Sequence, residues 1–112
     1  MNVSISYKHV NAQQPVAAET VRRLDKLGKL LKSYQPDLVQ VHGVFSRNQR
    51  TEEESMALTV SLPTGTLHAT GNGKNTLAAC KVAFREIEGQ VKKHQAILRH
   101  ERDWERKRDD RS

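Results

Sequence analysis

A single amphipathic stripe in the last third of the chain constrains the fold more than any other sequence feature. Between Asn75 and Arg99, apolar residues recur at alternating spacings of three and four, which places them on one face of an α-helix. Such a face must be buried, so the pattern predicts a long helix packed against the rest of the domain. The stripe consists of Leu77, Cys80, Phe84, Ile87, Val91, His94 and Leu98.

A column of positive charge runs beside this apolar stripe. Because a helix turns by about 100° per residue, four cations lie about a third of a turn from the apolar face. They are Lys81, Arg85, Lys92 and Arg99. The chain of 112 residues carries a net charge of +6, which favours a polyanionic partner such as a nucleic acid or an anionic membrane surface. Plain solubility of a small basic domain is the alternative explanation.

Weaker patterns organise the residues before this helix. Asn11–Pro15 supplies a turn and a proline suited to a first helical turn, and Pro63–Gly65 has the composition of a hairpin turn. Gly71–Asn75 is interpreted as a flexible connection in which Asn75 or Thr76 caps the long helix. The predicted strands are Met1–Tyr7, Asp37–Arg47, Met56–Leu62 and Thr66–Thr70, and the predicted first helix is Pro15–Ser33.

The order β-α-β-β-β-α predicts an α+β fold, a two-layer sandwich in which both helices cover one face of a four-stranded sheet. Since only 36% of the residues are hydrophobic, one modest core is expected. The domain is predicted to span residues 1–99, and the charged tail, residues 100–112, is interpreted as a fraying helix end or a disordered segment. The other sheet face is predicted to be open. Its residues are Gln40, His42, Thr59, Ser61 and His68.

Constellations for catalysis or metal binding are missing from the sequence. The five histidines show no close ligand spacing, and Cys80, the one cysteine, is expected to be a buried apolar residue in a reducing compartment. A small phosphate-binding enzyme would need an arginine in the loop at residues 6–14, which has Lys8 instead. We therefore expect a cytoplasmic protein that is not an enzyme, with no cofactor, no small-molecule substrate and no membrane-spanning segment.

The basic helices predict binding to structured RNA. Lysine and arginine gain affinity for phosphates by releasing condensed counterions, and the few aromatic residues argue against a surface that stacks single-stranded bases. Arg23 and Lys26 are expected to be exposed. The alternative is that these charges only solvate the helices, some of them paired with Asp25, Glu86 and Glu88. The predicted RNA-binding residues are Arg22, Arg23, Lys26, Lys29, Lys74, Lys81, Arg85, Lys92, Lys93 and Arg99.

Several segments, taken in order, resemble one protein family. They are Val10, residues 23–27 (RLDKL), residues 62–69 (LPTGTLHA), Ala78–Ala79 and residues 90–94 (QVKKH). Through them the chain resembles the ribosome hibernation-promoting factors, also called ribosome-associated factor Y or sigma-54 modulation proteins. The resemblance covers about residues 1–99 and is to the short form, which lacks the C-terminal dimerising domain of the long form.

This resemblance implies a fold similar to a double-stranded-RNA-binding domain. It also implies docking on the rRNA of the small ribosomal subunit, where such factors occupy the channel for mRNA and tRNA in stationary phase or stress. The mechanism is then translation inhibition by steric occupancy. We expect the chain to be a monomer away from the ribosome.

The chain departs from the family pattern at four positions. Gln13 replaces a common threonine or serine, Glu86 and Gly89 replace common basic residues, and Lys81 replaces a common acidic one. The basic stripe of the second helix therefore centres about a quarter turn from that of the family. Two alternatives follow: a paralogue that binds other structured RNA, or a protein-interaction module that uses the open sheet face or a strand edge.

Overall fold

Four strands and two helices follow one another in the order β-α-β-β-β-α in a computed structural model of the chain. The structure describes the backbone of residues 1–8, 14–48 and 50–109 and the side chains of residues 1–8, 16–48 and 50–99. The predictions made for Val10, Gln13, most of the turn before the first helix and the side chains of the tail lie outside these residues. The elements are β1 (Asn2–Lys8), α1 (Gln14–Leu30), β2 (Gln40–Arg47), β3 (Glu54–Leu62), β4 (Gly65–Gly73) and α2 (Thr76–Asp109).

The strands form one mixed sheet in the order β1-β2-β3-β4. β1 pairs in parallel with β2 because α1 connects them as a crossover, whereas short connections make the other two pairs antiparallel. Val3 pairs with Val41, and Val41 with Val60. Since directly paired residues lie on the same face, this row faces the helices. The predicted α+β fold is confirmed.

The core lies between that sheet face and the two helices. Phe84, Ile87 and Val91 of the predicted α2 stripe are completely buried, whereas His94 and Leu98 near its end are half-buried. Each large apolar side chain that is fully buried contributes about 1.5–3 kcal/mol relative to an exposed one. The largest fully buried side chains are Phe45, Phe84, Leu27, Met56, Leu58, Ile87, Val39, Val41, Val60, Val91 and Cys80.

The sheet face turned away from the helices is polar and open, as predicted. Gln40, His42 and His68 are exposed there, and Thr59 and Ser61 are half-buried. They alternate along their strands with residues that face the helices. Thr59 Oγ1 lies 3.1 Å from His68 Nδ1, within hydrogen-bond distance.

Glycines at the end of β4 allow α2 to lie directly on the sheet. The prediction that residues 71–75 form a flexible connection is wrong for Gly71 and Gly73, because β4 continues through Gly73 in register with β3. A methyl group at Gly71 would lie 2.4 Å from both the carbonyl oxygen of Ala79 and the amide nitrogen of Ala83. A glycine-rich composition that is typical of a turn therefore serves close helix–sheet packing here.

The start of α2 is fixed by two side chains, those of the cap residue and of the first helical residue. Asn75 Oδ1 accepts a hydrogen bond of 2.8 Å from the backbone N–H of Ala78, so Asn75 is the cap of the two predicted candidates, Asn75 and Thr76. The hydroxyl of Thr76 is buried and donates to the carboxylate of Glu54 on β3. These two contacts determine where α2 leaves the sheet.

The ends of several helices and strands differ from the predictions. α1 ends at Leu30, three residues earlier than predicted, and β2 begins at Gln40 because Pro36–Leu38 form a single 3-10 turn. The helix after the predicted end of the domain continues for ten residues, to Asp109. Val3 remains 41% exposed although it faces the helix layer, because β1 is an edge strand.

Candidate nucleic-acid interface

Nine of the ten predicted RNA-binding side chains are exposed. Arg23 is the exception, because its side chain is only 21% exposed. The prediction that Arg23 is exposed is therefore wrong, and its ion pairs with buried carboxylates give the physical reason. The nine exposed residues are Arg22, Lys26, Lys29, Lys74, Lys81, Arg85, Lys92, Lys93 and Arg99.

Four of the ten cations meet at one cleft between the two helices. Arg22, Arg23 and Lys26 lie on one face of α1, because three or four residues make one helical turn. Lys81 approaches from the first turns of α2, and Glu19 completes the lining of a cleft of about 380 Å³. The structure thus brings three cations of α1 together with one residue of the α2 stripe, Lys81.

The other six predicted residues lie outside this cleft. Arg99 lines a second cleft, near the end of α1. Lys29 Nζ lies 3.8 Å from Asp25 Oδ2, and both side chains are about three-quarters exposed. Such an exposed ion pair adds about 1 kcal/mol at most to the stability of the domain. The remaining residues are Lys74, Arg85, Lys92 and Lys93, which are exposed elsewhere.

Glu19 forms the floor of the cleft and is 4% exposed. Its carboxylate accepts a hydrogen bond of 2.9 Å from Arg23 Nε and a second one from the guanidinium of Arg22. The hydrogen bond from Arg23 and the charge of Arg22 lower the pKa of Glu19 below its ordinary value, although burial opposes this effect. Glu19 is therefore ionised at neutral pH and fixes the position of both arginines.

Glu88 joins α2 to α1 and is 6% exposed. Its Oε2 lies 3.6 Å from Lys26 Nζ, and its Oε1 lies 4.0 Å from Arg23 Nη1. Both distances are those of ion pairs and are too long for hydrogen bonds, and among the described atoms Oε1 has no hydrogen-bond partner although it is buried. Arg23 thus lies between two buried carboxylates, one on each helix.

The sequence patterns did not identify these two buried carboxylates: Glu88 was expected at most as a surface ion-pair partner, and Glu19 was not singled out. The sequence does contain a local signal that Glu19 is buried and ion-paired. It follows the apolar Val16 by three residues and precedes Arg22 and Arg23 by three and four, so all of them lie within one turn of it on a helix. Glu88 likewise comes directly after a stripe residue. Only the packing of the two helices, however, reveals that both carboxylates face the same arginine.

Groups able to carry other chemistry are dispersed in the part of the chain that the structure describes. His42 and His68 lie two strands apart with Thr59 between them, so about 10 Å separates their backbones. Within the residues that the structure describes, no group of three or more histidine, cysteine, aspartate or glutamate side chains is placed to hold a metal ion.

Burial raises the pKa of the Cys80 thiol, whose Sγ lies 3.7 Å from Thr20 Oγ1. No described helix is long and apolar enough to cross a membrane.

Comparisons with known proteins agree with the fold. The chain is similar to a ribosomal subunit interface protein from Coxiella burnetii, with a TM-score of 0.69, 19% identity, and coverage of 86% of this chain and 99% of that one. It is also similar to the N-terminal domain of Protein Y from Thermus thermophilus, with a TM-score of 0.67, 20% identity, and coverage of 83% and 98%. A search of curated proteins found no match. A family model matches residues 3–99, nearly the whole chain, and by this match the chain belongs to the Sigma 54 modulation protein / S30EA ribosomal protein family.

Proposed function

We propose that the chain binds the small ribosomal subunit through its helical layer and inhibits translation by occupying the channel for mRNA and tRNA. Membership of a family described as S30EA ribosomal protein supports a ribosomal partner. So do the names of the two similar structures, a ribosomal subunit interface protein and a Protein Y domain. The mechanism is steric, since occupancy of the channel needs no bond to be made or broken.

The observation that carries this proposal is the convergence of four cations at the cleft between α1 and α2. Arg22, Arg23 and Lys26 from one helix face Lys81 from the other. Such a surface contacts RNA phosphates and recognises the shape of a folded RNA without reading base edges. A pocket for a small organic substrate would be lined mainly by apolar residues, whereas all five residues that line this cleft are charged.

The test is the affinity of the purified chain for isolated small subunits, measured by co-sedimentation at several salt concentrations. Since each phosphate contact adds about 0.7–0.9 to the log–log salt slope, the wild type is expected to show a slope of several units. Lys26→Gln with Lys81→Gln should weaken binding and reduce the slope by about 1–2 units. Arg23 is left unchanged, because its removal would leave the buried Glu19 and Glu88 without their shared partner.

The matched control is Lys8→Gln with Arg47→Gln, which removes the same charge at exposed strand ends. It should leave the slope nearly unchanged. Equal losses from both double variants would mean that net charge, and not the cleft, determines binding. An affinity that does not change with salt would instead favour a protein interaction through the open sheet face, where Ser4, His42 and Ser61 help to line a shallow depression.

Occupancy of the channel is tested by adding the chain to a cell-free translation reaction. The wild type should inhibit initiation in proportion to the small subunits bound, and an mRNA already positioned on the subunit should compete with it. Tight binding without inhibition or competition would contradict channel occupancy while leaving the ribosomal partner in place.

A further inference from the structure

Two buried carboxylates lie beneath the basic cleft, which is an unusual place for acidic groups in an RNA-binding surface. Glu19 and Glu88 are 4% and 6% exposed, and ionised groups lose much hydration when they are buried. An exposed glutamate such as Glu86 keeps its hydration, so it needs no ion pair to compensate for a loss. The burial of both carboxylates between α1 and α2 therefore calls for a physical role.

Their contacts form a continuous series of ion pairs across the helix junction. Glu19 accepts hydrogen bonds from Arg22 and Arg23, and Glu88 lies between Arg23 and Lys26. Three cations against two carboxylates leave this group with a net positive charge. Glu88 Oε1 retains no hydrogen-bond partner among the described atoms, so the group is held by charge and not by complete hydrogen bonding.

We propose that Glu19 and Glu88 are positioning residues, which hold Arg22, Arg23 and Lys26 in one arrangement opposite Lys81 so that the cleft receives one phosphate group of an RNA backbone. This inference rests on the proposed function and adds the residues that order the contact. A free arginine or lysine side chain loses rotamer entropy when it binds a phosphate. Side chains that are already ordered lose less, which raises the affinity without adding a contact.

Positioning and simple electrostatics predict opposite effects of the same substitutions. Glu19→Gln or Glu88→Gln removes one negative charge, and electrostatics alone would then tighten binding to RNA. If the carboxylates position the cations, each variant should instead bind small subunits about tenfold more weakly and with a smaller salt slope. The matched control is Glu86→Gln, which makes the same charge change at an exposed site on α2 and should bind as well as wild type or slightly better.

A measurement on the unmutated free chain keeps the inference testable if a variant does not fold. In an NMR spectrum of arginine side chains, the Nε–H of Arg23 should exchange slowly with water and show restricted motion, because it donates to Glu19. The Nε–H of the exposed Arg85 should be averaged by rapid motion. Equal mobility of these two groups would overturn the inference without any variant.

A titration with inorganic phosphate separates this inference from the proposed function. Phosphate should shift the resonances of Arg23 and Lys26 in the wild type and shift them less in Glu19→Gln. If that result holds but small subunits do not bind, the phosphate site stands and the ribosomal partner is wrong. If small subunits bind equally to wild type, Glu19→Gln and Glu88→Gln, the positioning role is wrong and the ribosomal partner stands.

Discussion

Replacing Gly71 by alanine is expected to destabilise the domain by about 3 kcal/mol or more. Insertion of atoms into a packed site usually costs about 1–3 kcal/mol, and this site lies at the upper end because the new methyl group meets backbone atoms. The added methyl group would lie 2.4 Å from the carbonyl oxygen of Ala79 and from the amide nitrogen of Ala83. Ordinary non-bonded contacts are about 3.5 Å, so the clash amounts to about 1 Å at two points. Both atoms belong to the α2 backbone and cannot rotate away as the end of a side chain would.

Relief of that clash requires α2 to move away from the sheet. The movement would loosen the packing of Phe84 and Ile87, which are completely buried on the same helix. A domain of this size is stable by about 5–15 kcal/mol, so the loss is a large fraction of the total. Urea denaturation followed by circular dichroism measures it directly, and the midpoint should fall with little change in the slope.

Gly89→Ala is the matched control for Gly71→Ala. Gly89 is exposed within α2, and a methyl group there meets nothing within 4 Å. Because alanine is about 1 kcal/mol more favourable than glycine inside a helix, this variant should be more stable than wild type. A Gly71→Ala variant within about 1 kcal/mol of wild type, where a packed site should lose more, would refute the close packing of α2 on β4. A destabilised Gly89→Ala would refute the exposed helical position.

Three further predictions follow from contacts described above. Asn75→Ala should lose about 0.5–2 kcal/mol of stability in the same denaturation assay, because the N–H of Ala78 loses its cap, while Asn75→Asp should retain most of it. Phe84→Ala should lose about 3–5 kcal/mol by opening a cavity in the core, and a smaller loss would show that the core collapses around the site. The lowered pKa of Glu19 contributes stability that is present above pH 4.5 and lost as the pH falls through the folded-state pKa. The free energy of unfolding should therefore decline as the pH falls below 4.5 in wild type and decline less in Glu19→Gln. Parallel plots of this free energy against pH for the two proteins would contradict the interaction with Arg23.

The sequence predicted the fold well because periodicity reports burial directly. The alternating spacings of three and four around Phe84 and Ile87 identified the α2 face that packs on the sheet. Alternation along Met56–Leu62 likewise identified a strand with one buried face, and the structure buries its predicted residues. Both patterns depend only on neighbours within the same element.

Features that depend on two distant elements were not predicted. Gly71 and Gly73 have the composition of a turn, and only the position of the α2 backbone explains why β4 needs them. The pairing of Arg23 with Glu88 joins residues far apart in the chain, so helix wheels drawn separately suggested an exposed arginine. The predicted RNA contacts of the ten basic residues and the boundary at residue 99 remain predictions.

The parallel position of β1 at the sheet edge has a consequence for the order in which the domain opens. β2, β3 and β4 are consecutive strands joined by short connections, whereas β1 can pair only after the chain has closed the long crossover through α1. All seven of its residues retain partial or full solvent exposure, so little burial holds it in place. Amide hydrogens of β1 should therefore exchange with deuterium at lower opening free energies than those of β3, and β1 should join the sheet late in folding.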